Sequence, residues 1–193
     1  MEDYTEALDR IFESRARYKW SDRPVPLELI HKLYDYVKLG PTSVNGSPAR
    51  FCFVVSQEAR NRLAAHAMES NKTKIATAPC VAIIAYDEAF YEQLPKLLPI
   101  KEGARDLFAA NAELSHDTAF RNGSLQGAYL IAAARLLGLD CGPMSGFHNA
   151  GVDEEFFGGS TWKSNFLCAL GYANDELFPR LPRLGFEEAA QIL

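Results

Sequence analysis

Ser124-Leu125-Gln126-Gly127-Ala128-Tyr129-Leu130-Ile131-Ala132-Ala133-Ala134-Arg135-Leu136-Leu137 is the stretch that decides the fold. Apart from Gln126 and Arg135 it is apolar or small nearly all round its circumference, and Gly138 ends it. A helix that is apolar on every side has to be buried on every side. In a chain of 193 residues this predicts a central helix shared between a sheet and a second copy of the chain. A membrane span would need about 18 or more apolar residues in a row. Arg135 inside the run therefore favours a buried helix, with no membrane partner.

Working outward, residues 4–14 form a short helix with Leu8, Ile11 and Phe12 on one face, followed by a polar, basic stretch over 15–23. Pro26 suits a helix start. Ile30, Leu33, Tyr34 and Val37 recur at helical spacing until Gly40 and Pro41 stop them. Residues 51–55, 81–85 and 166–170 are short, branched or aromatic runs that predict strands. Ser56 is a natural N-cap for a helix to about Met68. Residues 87–120 are mixed: Pro95 and Pro99 break them, 102–114 has helical character, and the whole is a candidate lid over a site. Residues 186–193 predict a last short helix. Without repeats, linkers or strict strand–helix alternation, the chain reads as a single α+β layered domain over 1–193.

Composition narrows the function. A hydrophobic content of 48%, a charged content of 23% and a net charge of −5 describe an ordinary globular protein. Its Lys and Arg are scattered, which excludes a nucleic-acid footprint. The acidic Met1-Glu2-Asp3-Tyr4 start lacks the basic and apolar run of a signal peptide, so a cytoplasmic location is expected. Cys52, Cys80, Cys141 and Cys168 form no C-x-x-C pair and share no ligand spacing with the histidines, so they are expected to be core thiols rather than disulfides or metal ligands.

Four segments could carry chemistry. In Ser14-Arg15-Ala16-Arg17 two guanidinium forks lie one residue apart, which suits a phosphate. Gly40-Pro41-Thr42-Ser43-Val44-Asn45-Gly46-Ser47-Pro48 offers hydroxyls and an amide without charge, with Gly46 permitting close backbone approach. Gly142-Pro143-Met144-Ser145-Gly146-Phe147 brings main-chain N–H groups beside something flat, with Met144 and Phe147 as apolar contacts. Pro179-Arg180-Leu181-Pro182-Arg183 holds its arginines on an extended backbone. Each alone equally describes an ordinary exposed loop. Dinucleotide, Walker and serine-elbow signatures are all missing.

Their order along the chain is more specific. An Arg pair, a P-[ST]-S-x-N loop, a G-P-M-x-G-F loop after a long apolar helix and a P-R-x-P-R tail together resemble the FMN-dependent nitroreductase family, from about Arg15 to Ala189. With Arg121-Asn122-Gly123-Ser124-Leu125-Gln126-Gly127 added, the pattern is similar to the branch holding the malonic semialdehyde reductases. The resemblance implies a layered α/β/α sandwich with a mixed, mostly antiparallel sheet, and a homodimer.

It also implies FMN as cofactor, with NADH or NADPH as reductant and ping-pong hydride transfer through the flavin N5 to a small acceptor. Arg15 and Arg17 would hold the phosphate from one end, and Arg183 with Arg180 from the C-terminal side. Pro41, Thr42, Ser43 and Asn45 would reach the flavin of the other subunit. Asn71 and Lys74 would face the pyrimidine edge, with Lys74 giving electrostatic support. Pro143, Met144, Ser145 and Gly146 would line the ring. Where the family commonly has Arg-Arg-Ser this chain has Ser14-Arg15-Ala16, and where it has Gln this chain has Ser47. Which of Arg15 and Arg17 carries the main phosphate contact is left open. Arg121, expected at a helix start, is the candidate for a substrate carboxylate. A nitro, quinone or enoate reductase, or a flavin-binding protein without turnover, would share most of these residues.

Overall fold

The computed structural model describes residues 4–193; Met1-Glu2-Asp3 lie outside them. Strands β1 (Ala49–Val54), β2 (Cys80–Asp87), β3 (Asp140–Met144) and β4 (Trp162–Gly171) form one sheet in the order β1-β2-β4-β3. Each neighbouring pair is antiparallel, so the sheet, expected to be mixed and mostly antiparallel, is antiparallel throughout among the described residues.

The centre of the sheet explains the apolar runs. β2 is buried at all its positions, as a strand covered on both faces must be. Successive side chains alternate between two cores. Val81, Ile83 and Ala85 join Leu167 and Ala169 on one face, under Leu63 of α3 (Gln57–Ala65), Ile75 of α4 (Glu69–Thr77) and Val152 of α8 (Asn149–Phe157). Cys80, Ala82 and Ile84 join Cys168 and Leu170 on the other, under Leu33 of α2 (Leu27–Val37) and Leu130 of α7 (Ala112–Leu136). The expected α/β/α layering is therefore present. All four cysteines are free thiols, and burial pushes Cys80 up to about 12.

Several boundaries differ from the sequence reading. α7 begins at Ala112, where Asn111 caps it by accepting from the Leu114 N–H, and not at Ser124. Exposed Glu113, His116, Asp117 and Arg121 hide the continuation of its apolar face. β3 falls where a loop was expected; it lies at the sheet edge, where Pro143 can sit without breaking a ladder. The helix from Ser56 ends at Ala65, and α4 was missed because its buried face includes a lysine, Lys74. α8 was missed as well, and the last helix, α9, covers only Phe186–Ala189.

The candidate lid is folded. A 3-10 turn (Phe90–Gln93), α5 (Leu94–Leu97) and α6 (Ala104–Ala109) pack round fully buried Phe90, whose ring lies 5.1 Å from that of Phe108. Pro95 sits in the first turn of α5, where its missing N–H costs nothing. Short α1 (Thr5–Phe12) is tied to α7 through the Arg135 guanidinium, which donates to the Ile11 carbonyl. Among the described residues, no helix is long and apolar enough to cross a membrane.

Candidate functional site

The terminal arginines converge. Arg15, Arg180 and Arg183 line one cavity of about 780 Å³, together with Phe12, Tyr18 and Arg135. Arg15 donates to the Phe178 carbonyl, yet its Nε is buried without a hydrogen-bond partner among the described residues. Arg180 reaches the Phe12 and Glu13 carbonyls and the Glu13 carboxylate, and among the described residues Arg183 donates only to its neighbours Leu181 and Pro182. Arg17 is differently committed. Its Nε lies 3.1 Å from the Asp175 carboxylate, its Nη2 donates to the Asp175 carbonyl, and the pair is largely buried. That partner, invisible to local sequence reading because it is so distant in the chain, makes Arg15 the freer of the two cations.

Tyr18 joins this cavity to the next group. Its ring lies 4.7 Å from the Lys74 ammonium, which is 5% exposed and makes no hydrogen bond or ion pair among the described residues. Burial holds the Lys74 ammonium below its ordinary pKa. Asn71, nearly one turn before it on α4, donates to the Gly146 carbonyl at 3.0 Å. The Arg17 N–H donates to the Cys141 carbonyl, and a Cβ on Gly142 would stand 2.6 Å from the Arg17 carbonyl. Arg15, Arg17, Asn71, Lys74, Pro143, Met144, Ser145, Gly146, Arg180 and Arg183 thus fall in one linked neighbourhood. The loop reading needs correction in detail: Gly142 admits the Arg17 backbone, Gly146 admits Asn71 and Met68, and the side chains of Met144 and Phe147 point into the core. Pro143 and exposed Ser145 remain on the surface of this segment.

Pro41, Thr42, Ser43 and Asn45 lie elsewhere. Asn45 and Ser47 border a second cavity, of about 810 Å³, that shares no lining residue with the first. The 41–48 loop is strained: Val44, Asn45 and Ser47 have φ of 51°, 51° and 40°. A β-branched residue there is an outlier that only its surroundings can enforce. Gly46 is not the residue with the unusual backbone; it is needed because a Cβ would meet the Phe90 ring at 2.9 Å. Thr42 Oγ1 accepts from the Ser47 N–H, and the Asn45 amide donates to the Leu97 carbonyl. Pro41, Ser43 and Asn45 stay exposed.

Arg121 does not open a helix. It lies inside α7, so the free N–H groups of a helix start are not beside it. It is exposed and makes no hydrogen bond or ion pair among the described residues.

The residues of the first neighbourhood fit a phosphorylated flavin. Among the described residues the buried Nε of Arg15, Arg17 and Arg135 have no hydrogen-bond partner. Four arginines with Asp175 and Glu176 line a cavity of suitable size, and the buried Lys74 ammonium, without an ion-pair partner among the described residues, stands behind Tyr18 at its edge. The chain also has close relatives. The nitroreductase family matches residues 12–172. A protein of Caulobacter sp. strain K31, named provisionally as an NADH dehydrogenase/NAD(P)H nitroreductase, is 53% identical over 191 residues, covering 98% of this chain and 97% of that one. HadB of Ralstonia pickettii, with the same provisional name, is 51% identical over 93% of each chain. A nitroreductase-like protein of Exiguobacterium sibiricum, crystallised with FMN, superposes with a TM-score of 0.86 over all of this chain and 98% of its own, at 21% identity. The chain belongs to the nitroreductase family.

Proposed function

We propose that the protein is an FMN-dependent oxidoreductase that takes reducing equivalents from NADH or NADPH and passes them to a small acceptor, working as a homodimer. The observation that carries this reading is the pairing of an arginine-lined cavity with the buried Lys74, which has no ion-pair partner among the described residues. Bound FMN would supply the hydride relay between reductant and acceptor. Arg15 and Arg183 would hold the phosphate, with Arg180 beside them and Arg17 bracing the segment through Asp175. Lys74 would place a fixed positive charge at the pyrimidine edge, with Asn71 oriented there by its bond to Gly146. Pro143 and Ser145 would lie along the ring.

Dimerisation is supported by what one chain leaves uncovered. Leu125, Ala128 and Leu136 form an exposed stripe along α7, and Leu177, Phe178, Leu181 and Leu184 are exposed in the C-terminal tail. A second copy would cover these surfaces and bring the 41–48 loop of one chain to the arginine cavity of the other. The free cysteines suit a reducing, cytoplasmic compartment.

For the acceptor we propose a short aldehyde acid such as malonic semialdehyde. The combination of Gly-Pro-Thr-Ser-Val-Asn, Arg121 to Gly127 and Gly-Pro-Met-Ser-Gly-Phe supports this. The relatives' names, which include an NAD(P)H nitroreductase, favour a nitro compound instead, and a quinone is a further candidate of that second class. The test is direct. The purified protein is expected to be yellow, to release FMN on denaturation and to oxidise NADH or NADPH when an acceptor is added. Turnover is then compared on malonic semialdehyde, a nitroaromatic and a quinone. A folded protein that binds neither FMN nor riboflavin overturns the reading, and no turnover on the aldehyde acid moves the acceptor to the second class.

A further inference from the structure

The 122–127 stretch, Asn122-Gly123-Ser124-Leu125-Gln126-Gly127, has an internal period of four: an amide followed by glycine, then the same again. On a helix, residues four apart share a face. Asn122 and Gln126 are 6% and 3% exposed, and buried amides need partners. Asn122 finds its partner in the strained loop and Gln126 at the first residue of β1, directly after it. Asn122 Oδ1 accepts from the Ser43 N–H at 2.8 Å, and Gln126 Oε1 accepts from the Ala49 N–H at 2.9 Å. The Asn122 amide is itself oriented by donating to the Thr118 carbonyl at 2.8 Å. One further turn along the same face, the Tyr129 hydroxyl donates to the Pro41 carbonyl at 3.1 Å. Three side chains of one α7 face therefore hold the loop at its start, its first turn and its end.

The glycines explain how α7 comes close enough. A Cβ on Gly123 would stand 2.9 Å from Tyr86 Cβ, and one on Gly127 would stand 2.5 Å from the Phe166 ring. Each glycine seats the helix on the sheet, and the amide before it reaches the loop. A second clamp comes from β1, where Arg50 donates to the Ser47 and Ala49 carbonyls and pairs with Asp87 at 2.7 Å. Left to itself, a segment with positive φ at Val44 and Ser47 would relax.

We propose that Asn122 and Gln126 are positioning residues for the cofactor: they fix the 41–48 loop so that Pro41, Ser43 and Asn45 present themselves to the flavin. This rests on the FMN reading above. The test compares the parent with Asn122→Leu and Gln126→Met, which remove the acceptor at similar size, and with Asn122→Asp and Gln126→Glu assayed at acidic pH as the neutral acids. These keep the C=O acceptor, and at position 122 leave an O–H for the Thr118 carbonyl. FMN affinity is read by flavin fluorescence quenching on the dimer, and hydrogen exchange at the Ser43 and Ala49 amides is read on the apoprotein. Asn122→Leu is expected to weaken FMN binding about tenfold and to speed exchange at Ser43. Gln126→Met is expected to do the same at Ala49, while the Asp and Glu variants stay within threefold of the parent. Ser115→Ala removes another buried α7 side-chain bond, to the Glu88 carbonyl, and is expected to leave FMN affinity unchanged. Parent-like affinity in Asn122→Leu and Gln126→Met overturns the proposal, as does a Ser115→Ala loss of equal size. If the Leu and Met variants do not fold, loss of FMN affinity in folded Asp and Glu variants overturns it and retention supports it. A parent that binds no flavin defeats the FMN reading instead, whereas unchanged Ser43 and Ala49 exchange defeats the anchoring alone.

Discussion

Around the first cavity the protein gathers charge: Arg15, Arg135, Arg180 and Arg183 line it with Asp175 and Glu176, and Lys74 sits buried behind Tyr18 without an ion-pair partner among the described residues. The 41–48 loop does the opposite. Its exposed residues are neutral, and its three positive φ angles are held by α7 amides and by Arg50. In the first region the buried Lys74 charge lacks the counter-ion that an anion would supply. The second stores backbone strain against a rigid helix. The two should therefore respond differently to the same kind of perturbation, with charge deletion felt as cofactor affinity and anchor deletion felt as loop order.

The largest effect is expected where the proposed dimer would bring the two regions together. Leu125 is 41% exposed on the α7 stripe, one turn from the face that grips the loop. Leu125→Asp would place a carboxylate in an apolar interface, and burying an unpaired charge is severely unfavourable. Sedimentation is expected to show loss of the dimer, and absorbance is expected to show loss of bound FMN with it. A variant that stays dimeric and yellow would separate the stripe from the assembly.

Next come the arginines. Arg15→Ala and Arg183→Ala are each expected to weaken FMN about tenfold to hundredfold, since a charge-assisted phosphate contact is worth about 1.5–3 kcal/mol. Riboflavin, which lacks the phosphate, should bind these variants as it binds the parent. Arg17→Ala should lower the melting temperature more than it lowers FMN affinity, because Arg17 already has Asp175. If FMN and riboflavin weaken equally in Arg15→Ala, the phosphate lies elsewhere.

Lys74 offers a smaller effect of opposite sign on stability and function. Burial lowers its pKa, so the folded chain binds this proton less tightly than the unfolded chain does. The charge therefore costs stability below the folded pKa. That cost fades as pH rises from the folded pKa to the ordinary value of 10.5. Lys74→Met is expected to raise the apoprotein's melting temperature at neutral pH and to flatten its alkaline dependence. In the loaded protein the same change should make the flavin harder to reduce, by about 30 mV for a tenfold shift in a two-electron couple. A melting temperature that falls instead would mean that the Tyr18–Lys74 contact contributes more than the buried charge costs.

The contrast between the regions also explains what the sequence could convey. The layered fold was legible because β2 and α7 are apolar in the manner their burial requires, and Ser56 capped its helix as expected. Arg15 and the arginine tail do fall round one cavity, whereas Arg17 is taken by Asp175, a partner that spacing could not reveal; their hold on a phosphate belongs to the proposal above. β3 was not legible, because Gly142 and Pro143 in an edge strand look the same as Gly and Pro in a loop. α4 was hidden by a lysine on its buried face, which looks exposed until Tyr18 is placed over it. Nor could spacing reveal the loop's strain, since Val44 and Ser47 take positive φ only because residues far along the chain hold them there. Gln126 was the one local sign, a polar residue inside an apolar helix, and its partner was the Ala49 N–H.

The smallest effect concerns the acceptor, and the structure has reduced its expected size. A substrate carboxylate that leaves water needs a partner for its charge, and Arg121 was assigned that part on the expectation of a helix start beside it. With α7 beginning at Ala112, no free N–H groups add to the guanidinium, and the side chain is exposed in one chain. A solvated cation–carboxylate contact is worth about 0.2–1 kcal/mol, roughly a factor of up to five. Arg121 does lie next to the α7 stripe proposed to face the second subunit, so a desolvated contact would need that subunit to cover it. Arg121→Ala is therefore expected to lower kcat/KM for malonic semialdehyde by up to about fivefold and to leave an uncharged quinone unaffected. The selective loss should shrink at high salt, because an exposed ion pair is screened. Equal losses on both acceptors would remove Arg121 from substrate recognition. A selective loss of tenfold or more, insensitive to salt, would place the contact in a desolvated dimer interface and would tie acceptor choice to the same helix that holds the loop.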